Sequence, residues 1–134
     1  MPTVLLVDDE PAIRRVLRAL FERAGLAVLE ARSGSDALAL LAERADVDAV
    51  VSDVVMPEVS GLAFYDRLIE RLPGLAGRVV FLTGAARDPT IHGPIEERGV
   101  PLVSKIDDLR IVVDAVKVAL LRPAARRADG GAGS

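Results

Sequence analysis

Short runs of apolar residues divide the chain into segments of similar length, and five of these runs predict β-strands. The runs are rich in valine and leucine and mostly continuous, which is typical of strands in a parallel sheet covered on both faces. The second run is less purely apolar, so we expect it nearer an edge of the sheet. The predicted strands cover residues 3–7, 27–31, 47–52, 78–82 and 100–104.

Apolar residues at helical spacing follow each predicted strand. The first helix is expected to begin at Pro11, because proline suits a first helical turn, and to end near Gly25. The candidate N-cap residues of the second, third and fifth helices are Ser33 or Ser35, Ser60 and Asp107.

The stretch after the fourth strand is less regular than the others. Asp88 and Pro89 are typical of an N-cap and a first turn, but Gly93 and Pro94 follow only a few residues later. Proline inside a helix removes a hydrogen bond and clashes with the preceding turn. We therefore expect a short, broken or irregular helix over residues 89–98.

Five strand–helix units in strict alternation predict an α/β fold, a parallel sheet with helices on both faces and right-handed crossovers. This pattern leaves the order of the strands open. We assign residues 1–121 to this one domain. From Arg122 onward the composition is mostly arginine, alanine and glycine. Such a segment buries too little apolar surface to order itself, so residues 122–134 are predicted to form a flexible tail or linker.

Composition narrows the class of protein. The 134 residues are 51% hydrophobic with a net charge of −3, which predicts one domain with a sizeable core and argues against nucleic acid as a direct partner. The absence of cysteine excludes a disulfide framework and a thiolate metal site. We find neither a signal peptide nor an apolar run of membrane-spanning length, and therefore expect a cytoplasmic protein without membrane contact.

Polar residues that could carry chemistry follow four of the predicted strands. The carboxyl ends of the strands meet at one edge of a parallel sheet, where ligands bind in open α/β folds. Carboxylates gathered there repel one another and favour a cation, and oxygen ligands suit Mg²⁺. The residues are Asp8 and Asp9 after strand one, Asp53 after strand three, Thr83 and Gly84 after strand four, and Lys105 after strand five.

Each of these residues has an ordinary structural explanation when taken alone. Asp53 could cap a turn, and Lys105 could be a solvated loop lysine, although lysine is rare in this chain, with two against fifteen arginines. Their combination favours a site. An aspartate can accept a phosphoryl group covalently, and Mg²⁺ together with an ammonium group would neutralise the added charge. A hydroxyl such as that of Thr83 could donate a hydrogen bond to it.

The chain resembles the receiver domain of response regulators in two-component signalling. The resemblance covers residues 3–121, and its most specific parts are Val-Asp-Asp-Glu at 7–10 and Asp-Val-Val-Met-Pro at 53–57 with Gly61. It implies the flavodoxin-like strand order 2-1-3-4-5. It also implies a sensor histidine kinase or a phosphotransfer protein as the phosphoryl donor, and a downstream protein that the sequence does not identify.

The same resemblance assigns roles to the residues at the strand ends. Asp53 would be the phosphoacceptor, Thr83 and the backbone of Gly84 would contact the phosphoryl group, and Lys105 would pair with it. The implied Mg²⁺ ligands are Asp9 directly, Asp8 largely through water, Asp53, and the backbone carbonyl of Val55.

Two positions depart from the family pattern. Ile106 stands where the family has a proline after the lysine, joined by a cis peptide bond, so we expect a trans bond or a strained turn here. Leu102 occupies the position of the family's switch aromatic. These departures, with Gly93 and Pro94 in the fourth helix, bring the usual output mechanism into question.

Three functions remain open at this point. The leading one is an Mg²⁺-dependent phosphoacceptor module that switches partner binding, either as a single-domain regulator or as a receiver from a longer chain such as a hybrid kinase. The second is a phosphorylation-independent interaction module of the same shape. The third, an enzyme that hydrolyses phosphate esters through an aspartyl intermediate, is disfavoured because no cap domain or substrate pocket is evident.

Overall fold

Five parallel strands form one sheet in the order β2-β1-β3-β4-β5. The computed structural model describes residues 1–44, 46–84 and 88–122. The α/β fold class and the strand order are therefore confirmed, and β2 lies at an edge as expected. The strands are β1 (Thr3–Val7), β2 (Ala27–Ala31), β3 (Ala49–Asp53), β4 (Val79–Thr83) and β5 (Leu102–Ser104).

Helices cover both faces of the sheet. Alternate residues of β1 point to opposite sides, so Leu5 and Val7 enter one apolar core while Val4 and Leu6 enter the other. The first core is closed by α2, α3 and α4, and the second by α1 and α5. The helices are α1 (Pro11–Arg23), α2 (Gly34–Glu43), α3 (Gly61–Arg71), α4 (Pro89–Arg98) and α5 (Arg110–Leu121), with a 3₁₀ turn at Pro73–Leu75.

The helix caps agree with the sequence in three places and differ in one. The hydroxyl oxygens of Ser33 and Ser60 accept hydrogen bonds from the amides of Asp36 and Ala63, so both predicted caps are confirmed, Ser33 rather than Ser35. Gly25 follows α1 with a positive φ of 84°. The prediction of Asp107 as the cap of α5 was wrong. The helix begins at Arg110, whose amide donates to the carboxylate of Asp108 instead.

The predicted bounds of the fourth helix, residues 89–98, are confirmed, but the expected break is absent: α4 runs without interruption from Pro89 to Arg98. Pro94 cannot donate to the carbonyl of Thr90, yet its neighbour Gly93 has no Cβ to clash with the proline ring. The helix therefore loses one hydrogen bond at this position without being broken.

Contacts at both ends of α4 hold it in place. The carboxylate of Asp88 accepts from the amide of Thr90, and Ile95 is 1% exposed in the core. The guanidinium of Arg98 donates to both carboxylate oxygens of Asp66 on α3, and to the carbonyl of Pro94 at 2.8 Å. Tertiary contacts thus outweigh the local preference of the sequence.

Replacing Pro94 with alanine should stabilise the protein. The variant restores an amide that can donate to the carbonyl of Thr90 and removes the proline penalty, which is about 3 kcal/mol in a helix interior. Greater freedom of the unfolded chain and lost packing offset part of this gain, so we expect an increase of about 1–2 kcal/mol in the free energy of unfolding. Urea denaturation followed by circular dichroism measures it, and an unchanged or lower midpoint would contradict the expectation.

Three strands differ from the sequence prediction at their boundaries, and one of them, β4, covers Val79–Thr83 rather than residues 78–82. β3 begins at Ala49 rather than at residue 47 and includes Asp53, so this carboxylate belongs to the last position of the strand. β5 contains only Leu102–Ser104. No cis peptide bond occurs among the described residues, and Lys105 and Ile106 are joined by a trans bond. Of the predicted tail, residues 123–134 lie outside the described residues.

Candidate functional site

The ends of β1, β3, β4 and β5 bring together the polar residues that the sequence singled out. Asp8 follows β1 and is 2% exposed, Asp53 ends β3 and is 4% exposed, and Thr83 ends β4 and is 1% exposed. Lys105 follows β5, where its amide donates to the carbonyl of Thr83 at 2.9 Å. Parallel pairing of these strands therefore gathers three buried polar side chains and one lysine at the carboxyl edge of the sheet.

The ammonium group of Lys105 is the centre of this arrangement. Its Nζ donates hydrogen bonds to Oδ2 of Asp53, at 2.9 Å, and to Oε1 of Glu10. It also lies 3.0 Å from Oδ2 of Asp8 as an ion pair. The Lys105 side chain is only 10% exposed, so one partly buried cation contacts three carboxylates.

Asp8 and Asp53 are both held by backbone amides of the loops that follow their strands. Oδ1 of Asp8 accepts from the amide of Glu10 at 2.8 Å, and Oδ1 of Asp53 accepts from the amide of Val55 at 3.2 Å. Oδ2 of Asp8 is buried and has no aligned hydrogen bond among the described residues, despite its short distance from Nζ. This oxygen is therefore the least satisfied ligand atom of the site.

Burial and pairing shift the ionisation of these groups in opposite ways. Desolvation raises the pKa of Asp8 and of Asp53 above the usual aspartate value, because the hydrogen bonds that each receives only partly offset it. Burial alone would lower the pKa of Lys105, but the hydrogen bonds to Glu10 and Asp53 and the ion pair with Asp8 outweigh it and raise that pKa. The lysine therefore stays charged throughout the physiological range.

The site opens into a cleft of about 390 Å³ at the edge of the sheet. Gly84 is exposed there, and a Cβ at this position would meet nothing within 4 Å, so its backbone is open to a ligand. Val55 and Ile106 are the exposed apolar residues of the neighbouring loops, at 61% and 85%. The cleft is lined by Asp9, Glu10, Asp53, Val55, Thr83, Gly84 and Lys105.

The carboxylates of this edge could hold a hard divalent cation. One oxygen from each of Asp8, Asp9, Glu10 and Asp53 lies within 4.8 Å of the others. Carboxylate oxygens are the ligands that Mg²⁺ prefers, and the unsatisfied Oδ2 of Asp8 is an acceptor that lacks an aligned donor. The carboxylates of Asp8, Asp9 and Asp53 therefore fit Mg²⁺, and Glu10 lies beside them.

The loop between β3 and α3 is packed against the site with little room to spare. The amide of Gly61 donates to the carbonyl of Val54 at 2.8 Å. A Cβ at Gly61 would lie 2.3 Å from the carbonyl oxygen of Asp53 and 2.7 Å from Cα of Val54. Only glycine fits here, because the start of α3 touches the backbone that presents Asp53.

The sequence did not reveal two contacts that support the site. Glu10 was placed next to Asp8 and Asp9 but given no role, and its contact with Lys105 spans 95 residues. Arg14 on α1 donates from Nη1 to the backbone carbonyl of Asp8 at 2.6 Å and from Nε to Glu30 at 3.0 Å. Glu30 is the one charged residue of β2, and this interruption of an apolar strand is the signal that could have indicated the contact.

Glu30 links β2 to α1 beside the site. Its second carboxylate oxygen accepts from Arg18 at 2.7 Å. The hydrogen bonds from Arg18 and Arg14 outweigh partial burial and lower the pKa of Glu30. The ionised carboxylate therefore holds Arg14 where it can bind the loop that carries Asp8.

Comparison with known proteins shows to which family the chain belongs. The family model described as response regulator receiver domain matches residues 4–117. The chain belongs to this family. Receiver domains are the phosphoacceptor modules of two-component systems, and the resemblance seen in the sequence is therefore confirmed. No helix among residues 1–44, 46–84 and 88–122 is long and apolar enough to cross a membrane.

Individual relatives show how such receiver domains occur. The chain is 46% identical over 88 residues to the sensor kinase CckA of Brucella abortus, covering 64% of this chain and 9% of the kinase. It is 33% identical over 130 residues to the probable transcriptional regulatory protein TcrX of Mycobacterium tuberculosis, covering 97% of this chain and 54% of the regulator. Its receiver domain thus spans only part of these longer curated relatives.

A solved structure of similar sequence has the same fold. The signal receiver domain of an HD domain-containing protein from Pseudomonas fluorescens Pf-5 superposes with a TM-score of 0.79 at 30% identity. The match covers 89% of this chain and 94% of that chain. The receiver fold described above is therefore shared over nearly the full length of both.

Proposed function

We propose that this receiver domain accepts a phosphoryl group on Asp53 in an Mg²⁺-dependent reaction and thereby changes its binding to a partner protein. The observation that carries the proposal is the hydrogen bond between Lys105 Nζ and Asp53 Oδ2, at 2.9 Å, inside a cleft lined by further carboxylates. This pairing keeps a buried carboxylate ionised and available as a nucleophile. It also places a cation where phosphoryl oxygens would arrive.

The donor we propose is a phosphohistidine on a sensor kinase or a phosphotransfer protein. A carboxylate oxygen of Asp53 attacks phosphorus, a new O–P bond forms, and the N–P bond of the donor breaks. The electron pair of that bond returns to the imidazole ring, which leaves neutral when its second nitrogen carries a proton. Burial of Asp53 excludes water from one side of the reacting carboxylate.

Three groups of this chain would hold the product. Lys105 would donate hydrogen bonds to the phosphoryl oxygens in place of a carboxylate. Thr83 would donate a hydrogen bond from its hydroxyl, and the backbone of Gly84 would approach the phosphoryl group closely. Asp9, Asp8, Asp53 and the carbonyl of Val55 are the residues that would hold Mg²⁺. When bound, the ion would neutralise part of the charge on the carboxylates and the phosphoryl oxygens.

The switch would act through the new charge at the carboxyl edge. A phosphoryl group adds roughly −1.5 to −2 charges, and a conformational response needs contacts that differ between the two states. Leu102 is half-buried on the edge strand β5, where the family has its switch aromatic. We therefore propose that output depends on Thr83 and Lys105 rather than on a swinging aromatic ring.

The setting of the domain follows from its relatives. We propose that it acts in the cytoplasm, without direct contact with nucleic acid or membrane, as a single-domain regulator or as part of a longer chain. The similarity to the sensor kinase CckA supports a place in a hybrid kinase. The domain itself would be a substrate of phosphotransfer rather than an enzyme acting on other molecules.

Replacing Asp53 with asparagine should abolish phosphorylation, because an amide oxygen is a poor nucleophile. The protein is incubated with acetyl phosphate with and without Mg²⁺, and its intact mass is measured. We expect one phosphoryl adduct on the unmodified chain only when Mg²⁺ is present, and none on Asp53→Asn.

Asp114→Asn is the matched control, since Asp114 lies exposed on α5. It should acquire the adduct as the unmodified chain does. An adduct that persists in Asp53→Asn would move the phosphoacceptor elsewhere. The absence of any adduct on the unmodified chain would favour a phosphorylation-independent interaction module.

A further inference from the structure

Three carboxylates surround the ammonium group of Lys105 before any ligand arrives. An ammonium group has three protons. Hydrogen bonds to Asp53 and Glu10 occupy two of them, and the third faces Asp8 at 3.0 Å. An incoming phosphoryl group can therefore bind Nζ only if one of the three carboxylates gives up its place.

The three carboxylates differ greatly in how easily they can leave. The side chains of Asp8 and Asp53 are 3% and 6% exposed, and backbone amides hold the other oxygen of each. The Glu10 side chain is 56% exposed, and no described donor other than Lys105 binds its carboxylate. Glu10 can turn into water at little cost, whereas Asp8 and Asp53 cannot.

Glu10 also precedes a helix that does not use it. It is the N-cap residue of α1, yet its side chain makes no capping hydrogen bond. The side chain reaches instead across the cleft, to a lysine 95 residues away along the chain. Since the same cleft is lined by Asp53 and Gly84, the Glu10–Lys105 contact spans the space into which a phosphoryl group would enter.

We propose that Glu10 is a positioning residue that competes with the phosphoryl group for Lys105, and so slows phosphorylation and shortens the life of the phosphorylated state. This inference rests on the proposed phosphorylation of Asp53. In the free protein Glu10 holds Nζ over the cleft. In the phosphorylated protein its carboxylate must be displaced, and its negative charge then lies beside a phosphoryl group of the same sign.

The competition has a direct consequence for the choice of donor. A small dianionic donor such as acetyl phosphate must bring its phosphoryl oxygens past Glu10 without help from other contacts. Transfer from acetyl phosphate breaks the bond between phosphorus and the acetate oxygen, forms the bond to Asp53, and releases acetate. Glu10 therefore opposes phosphorylation by small donors of this class.

Glu10→Gln tests this role, because glutamine keeps the size of the side chain and removes its charge. At saturating Mg²⁺ we expect the variant to be phosphorylated by acetyl phosphate about two- to fivefold faster, the upper part of the range that corresponds to one partly exposed ion pair. Its affinity for beryllofluoride, a mimic of the phosphoryl group, should rise by a similar factor. Both gains should shrink as ionic strength increases.

The matched control is Asp107→Asn, which makes the same change of charge in the loop after β5. The carboxylate of Asp107 forms no ion pair with Lys105 in the described structure. An equal increase in the phosphorylation rate of Asp107→Asn would mean that the net charge around the site sets the rate, and not the contact between Glu10 and Lys105. The proposal would then be overturned.

Calorimetric titration with Mg²⁺ alone gives the second readout. The proposal requires Glu10→Gln to lose no more Mg²⁺ affinity than the removal of one nearby charge explains, about fivefold or less. Weaker Mg²⁺ binding together with slower phosphorylation would make Glu10 a metal ligand and overturn the proposal. If Glu10→Gln is phosphorylated at the same rate as the unmodified chain or more slowly, this inference alone is overturned. If the unmodified chain takes no phosphoryl group, both this inference and the proposed function are overturned.

Discussion

Replacing Gly61 with alanine should lower the free energy of unfolding by about 3 kcal/mol or more. The added methyl group would lie 2.3 Å from the carbonyl oxygen of Asp53 and 2.7 Å from Cα of Val54. Both contacts are with backbone, so no flexible side chain can move aside. Either the start of α3 or the end of β3 must shift, and the hydrogen bond from Gly61 to the carbonyl of Val54 weakens with it.

The same change should impair phosphorylation in the molecules that remain folded, because the methyl group presses on the residue that carries the phosphoacceptor. Urea denaturation measures the first effect, and the mass of the acetyl phosphate adduct measures the second. Gly34→Ala is the control, since Gly34 is likewise the first residue of its helix and a Cβ there would meet only side-chain atoms, the nearest being Cγ1 of Val59 at 3.1 Å. Its cost should be smaller, because a side chain can move aside by a few tenths of an ångström. Equal midpoints for the two variants would contradict the steric explanation.

Replacing Lys105 with methionine should remove about 3 kcal/mol of stability at neutral pH in the absence of divalent cations. The carboxylates of Asp8 and Asp53 would then stay buried without the cation that contacts both. The rate of phosphorylation should fall together with stability, because the ammonium group that attracts phosphoryl oxygens is lost. Lys117→Met is the control, as Lys117 is the only other lysine in the sequence and lies exposed on α5.

Lowering the pH should return much of the lost stability to Lys105→Met. Burial already raises the pKa of Asp8 and Asp53 above the value of 3.8, and loss of the lysine raises it further. A carboxyl with a raised folded-state pKa binds its proton more readily when folded, so its stabilising effect is complete below the unfolded pKa and disappears as pH rises through the folded pKa. The deficit against the unmodified chain should therefore narrow between about pH 7 and pH 4. A deficit that is constant with pH would show that methionine disturbs packing instead.

The arrangement of the sheet was accessible from the sequence because the signals that define it are local. Continuous apolar runs, a helical period after each run and the caps at Ser33 and Ser60 all act within a few residues. The order of the strands is not local, and it came from the resemblance to receiver domains. β5 was predicted two residues too long at its start, because the apolar run continues through Val100 and Pro101, which lie before the paired segment.

The fourth helix shows where local rules fail. Pro94 and Gly93 are strong breaking signals, yet the buried side chain of Ile95 and the contact between Arg98 and Asp66 hold the helix together. These contacts join residues that lie far apart along the chain. A pattern read along the chain registers the penalty of proline but not the compensation.

The sequence indicated which residues lie together at the candidate site, but not which of their side chains are in contact. Asp8, Asp53, Thr83 and Lys105 meet as the carboxyl ends of parallel strands must. The ammonium group of Lys105 binds Glu10 as well as Asp53. This double contact depends on the conformation and burial of the side chains, which cannot be predicted from the sequence pattern. The hydrogen bond from Arg14 to the carbonyl of Asp8 was missed for the same reason.

Lys105 contacts residues that lie far before it in the sequence, so the site is complete only when the whole sheet has formed. The lysine lies 52 residues after Asp53 and 95 residues after Glu10, directly after the last and shortest of the described strands. During synthesis every carboxylate of the cleft emerges before the cation that compensates it. The carboxylates of the cleft are therefore compensated only when β5 pairs with β4. We expect a chain that has not formed this pair to be unable to accept a phosphoryl group, rather than to accept it at a reduced rate.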